Sequence, residues 1–130
     1  MFLKRRKYTL LIVEDEISLR HALRDKFIRK GFYVLEAKDG KEGLILALKK
    51  EPDMILLDII MPKMNGMVML KKLRQASKWG RSVSVILLSN LGGDDEEMMA
   101  EIGKDRLADY LVKSNWSLDD VVKKVRGKLL

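Results

Sequence analysis

Apolar positions along the chain follow two rhythms, and the change from one to the other marks the elements. Short unbroken apolar runs occur at Thr9 to Val13, Met54 to Leu57 and Ser82 to Leu88. Such runs read as strands buried on both faces, since a half-exposed strand would alternate with polar residues. Phe32 to Glu36 is short and alternating, which fits an edge strand, and Asp109 to Val112 reads as a fifth strand. Between these runs the apolar residues recur at helical spacing. Leu19, Ala22, Leu23 and Phe27 form one stripe, stopped by Gly31. Asp39-Gly40 turns the chain into a second helix carrying Leu44, Ala47 and Leu48, closed at Glu51-Pro52. After Asn65-Gly66 come Val68, Met69, Leu70 and Leu73. Gly92-Gly93 and Asp94-Asp95 precede a fourth helix with Met98, Met99 and Ile102, where acids at the start suit the helix dipole. Leu118, Val121, Val122, Val125 and Leu129 make the last stripe, capped by Ser117. Five strands alternating with five helices predict an α/β fold with a doubly wound parallel sheet.

Composition narrows the class without changing that picture. The 130 residues suit one domain with one core. Apolar content of 47% and charged content of 35% describe a globular chain, not a disordered one. The net charge of +7 is unevenly spread. Lys4, Arg5, Arg6 and Lys7 form a basic start; Lys71, Lys72, Arg74, Lys78 and Arg81 form a second patch; Asp94 to Glu97 with Glu101 form an acidic block. Basic patches can meet nucleic acid or an acidic partner, but the simpler reading is a solvated surface. With no cysteine there is no disulfide framework and no thiolate metal site. No segment approaches the ~18 apolar residues of a membrane helix, and the basic start lacks the apolar core of a signal peptide. A soluble, cytoplasmic protein is the expectation.

The chemistry lies just past the strand ends. The first strand delivers Glu14 and Asp15, the third Asp58, the fourth Ser89 and the fifth Lys113. In a doubly wound sheet these tips share one crevice at the switch point between neighbouring strands. Three carboxylates gathered there repel one another or demand a cation. With oxygen ligands alone, Mg²⁺ is the natural occupant, using one or two carboxylates and a phosphate oxygen. A carboxylate nucleophile beside a metal, a hydroxyl and a lysine describes a site for an aspartyl phosphate.

Several fragments stand in a specific order: Val13-Glu14-Asp15-Glu16, Ala37-Lys38-Asp39-Gly40-Lys41-Glu42, Pro52-Asp53-Met54-Ile55, Leu57-Asp58-Ile59-Ile60-Met61-Pro62, Ser89, and Tyr110-Leu111-Val112-Lys113. Together they closely resemble the receiver domain of bacterial two-component response regulators, in particular the chemotaxis type, over residues 8–129. The resemblance implies a flavodoxin-like (βα)5 sheet in strand order 2-1-3-4-5. It divides the chain into a basic N-terminal tail, 1–7, and a receiver domain, 8–130. It implies that Asp58 accepts a phosphoryl group from a sensor histidine kinase or phosphotransfer protein. Asp15, Asp58 and the backbone carbonyl of Ile60 would bind Mg²⁺ directly, with Glu14 holding it through water. Ser89 would hydrogen-bond the phosphoryl group, Lys113 would supply its counter-charge, and Tyr110 would be the switch aromatic coupled to Ser89. The readout would be the face made by the fourth helix, fifth strand and fifth helix, which could also support a homodimer. No membrane and no nucleic acid are expected for this domain itself, and no enzymatic activity beyond its own phosphorylation and dephosphorylation.

Some positions depart from the family pattern. Ser114 follows Lys113 where a proline, often cis, is usual; a non-proline cis bond costs ~2.5–4 kcal/mol, so a trans bond is expected. Asn90 stands where a very small residue is preferred and narrows the mouth. Gly43 replaces a common alanine, at about 0.5–1 kcal/mol if interior. Ile60 and Leu91 are apolar where relatives steer water toward the phosphoryl group, which predicts slow self-dephosphorylation. Other residues have plain readings: His21 as a solvated helix histidine, the methionines as core and loop filling, Trp79 and Trp116 as loop aromatics. Three rival functions remain at this point. A degenerate receiver would bind partners without phosphorylation. A flavodoxin-like cofactor binder would want a phosphate cradle where Glu14-Asp15-Glu16 stands. A haloacid-dehalogenase-like phosphatase would carry Asp-x-Asp on its first strand.

Overall fold

A computed structural model describes residues 7–89, 96–112 and 116–129, leaving aside the side chains of Ser89 and residues 96–99. The expected cap at Asp94-Asp95, the positions Asn90, Leu91, Lys113 and Ser114, and residues 1–6 lie outside the described residues. Among the described residues the order is β1 (Thr9–Val13), α1 (Ile17–Arg29), β2 (Tyr33–Ala37), α2 (Gly40–Lys50), β3 (Met54–Asp58), α3 (Gly66–Ala76), α4 (Lys78–Ser82), β4 (Ser84–Ser89), α5 (Glu96–Gly103), β5 (Ala108–Val112) and α6 (Leu118–Leu129). The five strands form one parallel sheet in the order β2-β1-β3-β4-β5, the expected flavodoxin-like arrangement.

Period-two alternation of buried strand residues builds two cores. Leu11, Val13, Ile55, Leu57, Val85 and Leu87 face the side covered by α2, α3 and α5. Leu10, Ile12, Met54, Leu56, Ile86 and Leu88 face the side covered by α1 and α6. Every residue of β3 is buried, as its unbroken apolar run requires.

Local chemistry sets the helix ends. Gly31 takes φ +93° at the end of α1, with its N–H on Ile28 O and the Phe32 N–H on Phe27 O. This is a Schellman closure, and Phe32 packs edge-on against Phe27 at 5.1 Å. Asp39 caps α2 by accepting from Glu42 N at 2.8 Å, and Asn65 caps α3 by accepting from Val68 N at 2.9 Å. Ser117 and Asp120 cap α6 reciprocally, side chain to backbone at 3.2 and 2.8 Å.

Four expectations need correction. A short helix, α4, was not foreseen, so the expected fourth and fifth helices are α5 and α6. Ser77 caps it by accepting from Gly80 N, and β4 therefore begins at Ser84, not Ser82. Trp79 is not a loop aromatic: it lies on α4, half-buried against the core. Leu48, expected on the inner face of α2, is exposed, while Gly43 and Ala47 are buried there. Gly43 has a packing reason, since a β-carbon would stand 2.9 Å from both γ-carbons of Val13 and 3.1 Å from Met69 Sδ. Its absence lets α2 lie close on the end of β1.

Candidate functional site

The carboxyl ends of β1 and β3 meet because the two strands are adjacent and in register, Val13 opposite Leu57. The residues just beyond that pair are Glu14 and Asp58. Oxygens of Glu14, Asp15 and Asp58 all lie within 4.8 Å of one another. Glu14 and Asp58 are buried, and Asp15 is exposed at the mouth. The acids read from separate runs in the sequence are therefore one cluster.

Backbone contacts hold it. The Glu14 N–H donates to Ala37 O at 3.0 Å, tying β1 to the end of β2. The Glu16 N–H donates to Glu14 Oε2 at 3.2 Å. Beyond Asp58, the Ile59 N–H donates to Leu88 O at 3.0 Å and the Gly66 N–H to Ile59 O at 2.7 Å. The loop between β3 and α3 is thus pinned on both sides, with the Ile60 N–H 3.4 Å from Asp58 Oδ1. The Ile60 side chain is 57% exposed at the rim.

The donor set fits a hard divalent cation. Two oxygens in one octahedral Mg²⁺ shell, at 2.0–2.1 Å from the ion, lie at most about 4 Å apart. The oxygens of Glu14, Asp15 and Asp58, all within 4.8 Å of one another, are close enough for such an ion to be shared among them. Without a cation, three carboxylates at this spacing repel.

The remaining expected site residues are placed only in part. Ser89 ends β4, one residue beyond Leu88, which is opposite Asp58. Val112 is opposite Ser89, and Lys113, next in the sequence, lies outside the described residues. Tyr110 is opposite Leu87, half-buried and packed against the core on the α2, α3 and α5 side. Among the described residues His21 pairs with Glu36, at 3.9 Å, and its side chain is 43% exposed, in keeping with a solvated histidine.

Sequence reasoning missed Arg20. Its Nη1 donates to the Glu14 carbonyl at 3.0 Å and its Nε to Glu36 Oε1 at 3.2 Å. An arginine six residues after Glu14 on the first helix was the available signal. Asp39 reads from the sequence as the start of the second helix, without any sign that it meets Lys63. Asp39 is buried and pairs with Lys63 at 3.7 Å, linking the two loops that flank the cluster. On the far side of the sheet edge, Asp109 receives Lys124 at 2.7 Å and Lys128 at 3.5 Å. Burial pushes its carboxyl up, but the hydrogen bonds from Lys124 and the Tyr110 N–H, with the two lysine charges, outweigh that and hold it below the ordinary value.

A family model described as the response regulator receiver domain matches residues 10–126. The chain belongs to that family. Among curated relatives, a probable transcriptional regulator ycf27 of Guillardia theta is 37% identical over 108 residues, 82% of this chain and 40% of the relative. The probable transcriptional regulatory protein SilR of Salmonella typhimurium is 38% identical over 105 residues, 80% of this chain and 43% of the relative. The receiver thus spans less than half the length of these two relatives. Among solved structures, the Vibrio cholerae chemotaxis protein CheY4 superposes with a TM-score of 0.83 at 26% identity, covering 93% of this chain and 98% of that one. As a receiver of the two-component type, this is a signalling domain and not a classical enzyme. The flavodoxin-like cofactor binder and the phosphatase are thereby set aside. Among the described residues no helix is long and apolar enough to cross a membrane.

Proposed function

We propose that this receiver is switched by phosphorylation of Asp58, with the phosphoryl group coming from a phosphohistidine of a sensor kinase or phosphotransfer protein. The observation that carries the reading is the gathering of Glu14 and Asp15 around Asp58 within 4.8 Å. Asp58 Oδ forms the new bond to phosphorus while the P–N bond breaks, and that electron pair stays on the imidazole nitrogen, which takes a proton. Asp15, Asp58 and the Ile60 carbonyl would hold Mg²⁺, with Glu14 acting through water. The ion would neutralise phosphoryl oxygens as charge redistributes. Pinning of the loop between β3 and α3 keeps the Asp58 carboxylate in place for in-line attack.

Ser89 and Lys113 would bind the transferred group from the tips of β4 and β5. The product carries roughly one more negative charge than the carboxylate. It moves the conformational equilibrium only through contacts that differ between the two states. Tyr110, on β5 beside the core, is the side chain proposed to report that change to the face made by α5, β5 and α6. A homodimer through that face is part of the same reading. The apolar Ile60 at the rim cannot orient a hydrolytic water, so the phosphoryl group should be long-lived.

Incubation with acetyl phosphate and Mg²⁺, followed by intact mass, tests the proposal. Uptake of one phosphoryl group that Asp58→Asn abolishes is the expected result. Folded protein that takes up none, with acetyl phosphate or a phosphorylated phosphotransfer protein, would instead make it a phosphorylation-independent pseudo-receiver.

A further inference from the structure

A second concave surface lies away from the acidic cluster, between α3, α4 and the turn joining α5 to β5. It encloses about 580 Å³, enough for a few side chains of a bound segment. Its floor is apolar: Leu70 is buried at the base, while Val68 and Leu107 are 41% and 38% exposed. Single exposed apolar residues need no explanation; here Val68 of α3 and Leu107 of the turn before β5 face the same groove.

The rim is basic. Lys71 projects from α3, Arg81 from α4, and Arg106 from the turn before β5. Arg74 in the same groove is already engaged, with Asp105 at 2.8 Å and the carbonyls of Gly80 and Val83 at 2.8 and 2.6 Å. Lys104 makes a long, exposed pair with Glu101 at 3.5 Å. Lys71, Arg81 and Arg106 take part in no ion pair among the described residues.

We propose that this groove docks an acidic, amphipathic segment of another protein, with apolar side chains on the floor and carboxylates against the rim. The pattern of charge and polarity selects that occupant. A nucleic acid would present phosphates and ribose to Val68 and Leu107, which offer them nothing, and would meet Glu101 at the edge. A second copy of this chain, at net charge +7, gains less from the basic rim than an acidic partner does. An acidic segment is steered in by the same field, and the apolar floor then supplies the short-range attraction. The groove shares no residue with the Asp58 cluster.

The test is selection of a displayed library of random short peptides on the whole chain. The enriched consensus peptide is then measured by fluorescence anisotropy and mapped by amide chemical shifts. The expected consensus is acid-rich with spaced apolar residues, and its shifts centre on Val68, Arg106 and Leu107. Lys71→Glu with Arg106→Glu should weaken binding by about tenfold or more, since like charges then face each other at the rim. Lys41→Glu with Lys49→Glu, the same change of charge on the exposed face of α2, should leave it within about twofold. Leu107→Ser should weaken it without altering its salt dependence. A neutral or basic consensus, no enrichment, shifts elsewhere, or equal losses in the two charge-reversed variants would overturn the proposal. So would self-association of the chain that the Lys71 and Arg106 substitutions abolish.

Discussion

Gly66 offers a quantitative check on how the loop between β3 and α3 is held. Its N–H donates to Ile59 O at 2.7 Å, and α3 starts directly against the end of β3. A β-carbon there would fall inside contact distance of the Asp58 carbonyl oxygen, 3.0 Å from its carbon and 2.9 Å from Ile59 Cα. All three are backbone atoms, so no rotamer change relieves the overlap. Carbon atoms pack at about 3.5–4.0 Å, so the first turn of α3 must retreat by roughly 0.6–1 Å. That retreat stretches the Gly66 hydrogen bond beyond a useful length, costing about 1 kcal/mol. Displacing packed backbone adds about 1–3 kcal/mol. Alanine's better helix propensity offsets at most about 1 kcal/mol. Gly66→Ala should therefore destabilise the domain by about 2 kcal/mol, which at an m-value of about 2 kcal/mol/M lowers the urea midpoint by about 1 M. Gly103→Ala is the control, because a β-carbon at the end of α5 meets nothing within 4 Å. It should be neutral or stabilising by up to about 1 kcal/mol. Urea titrations followed by far-UV circular dichroism decide the matter. Midpoints that agree within about 0.2 M for the two variants would refute the close-approach argument.

Three further outcomes follow from other contacts. Arg74→Ala should cost about 2–4 kcal/mol in urea unfolding, because Asp105 and the Gly80 and Val83 carbonyls lose their donor together. Arg74→Lys should recover only part of it, since an ammonium cannot reproduce the fork. Asp109, held below its ordinary value, contributes stability that is present above its unfolded pKa, ~3.9, and lost as pH falls through the lower folded value. Asp109→Asn should flatten the acid limb of a stability profile below about pH 4 and leave the slope unchanged near neutrality. Ile60→Gln should shorten the phosphoryl lifetime several-fold in a mass-resolved decay after kinase and donor are removed. An unchanged lifetime would sink the link between an apolar rim and slow hydrolysis.

The sheet and its acids were legible in the sequence because one physical demand produces both signals. A parallel strand covered on both faces must be apolar throughout, so its last apolar residue announces where the tip begins. Glu14, Asp15 and Asp58 stand at those tips, and once β1 and β3 are neighbours their meeting is nearly forced. The helices with long stripes were readable for a similar reason, since α6 repeats its pattern over twelve residues. Five residues of α4 complete barely more than one turn, too short for any period to show. Its existence depends instead on Ser77 as cap and on the fit of Gly80 against the Leu73 carbonyl.

Arginines were where pattern failed most. Arg74 sits within a run of basic residues that reads as solvated surface, yet its guanidinium fastens α3 to α4 and to the turn before β5. Arg20 likewise reads as the polar face of α1, although it reaches the backbone at the acidic cluster. Composition cannot separate these from neighbours such as Lys71, because the difference lies in carbonyls brought close by the fold. Gly43 carries the same lesson in reverse. Within α2 alone it is a defect that weakens a helix. Against Val13, thirty residues earlier in the chain, it is the position where a side chain would push α2 off β1. Val13 is β-branched and held in a central strand, so it cannot rotate away cheaply. The residue that follows it is Glu14, and any displacement there moves a carboxylate of the site.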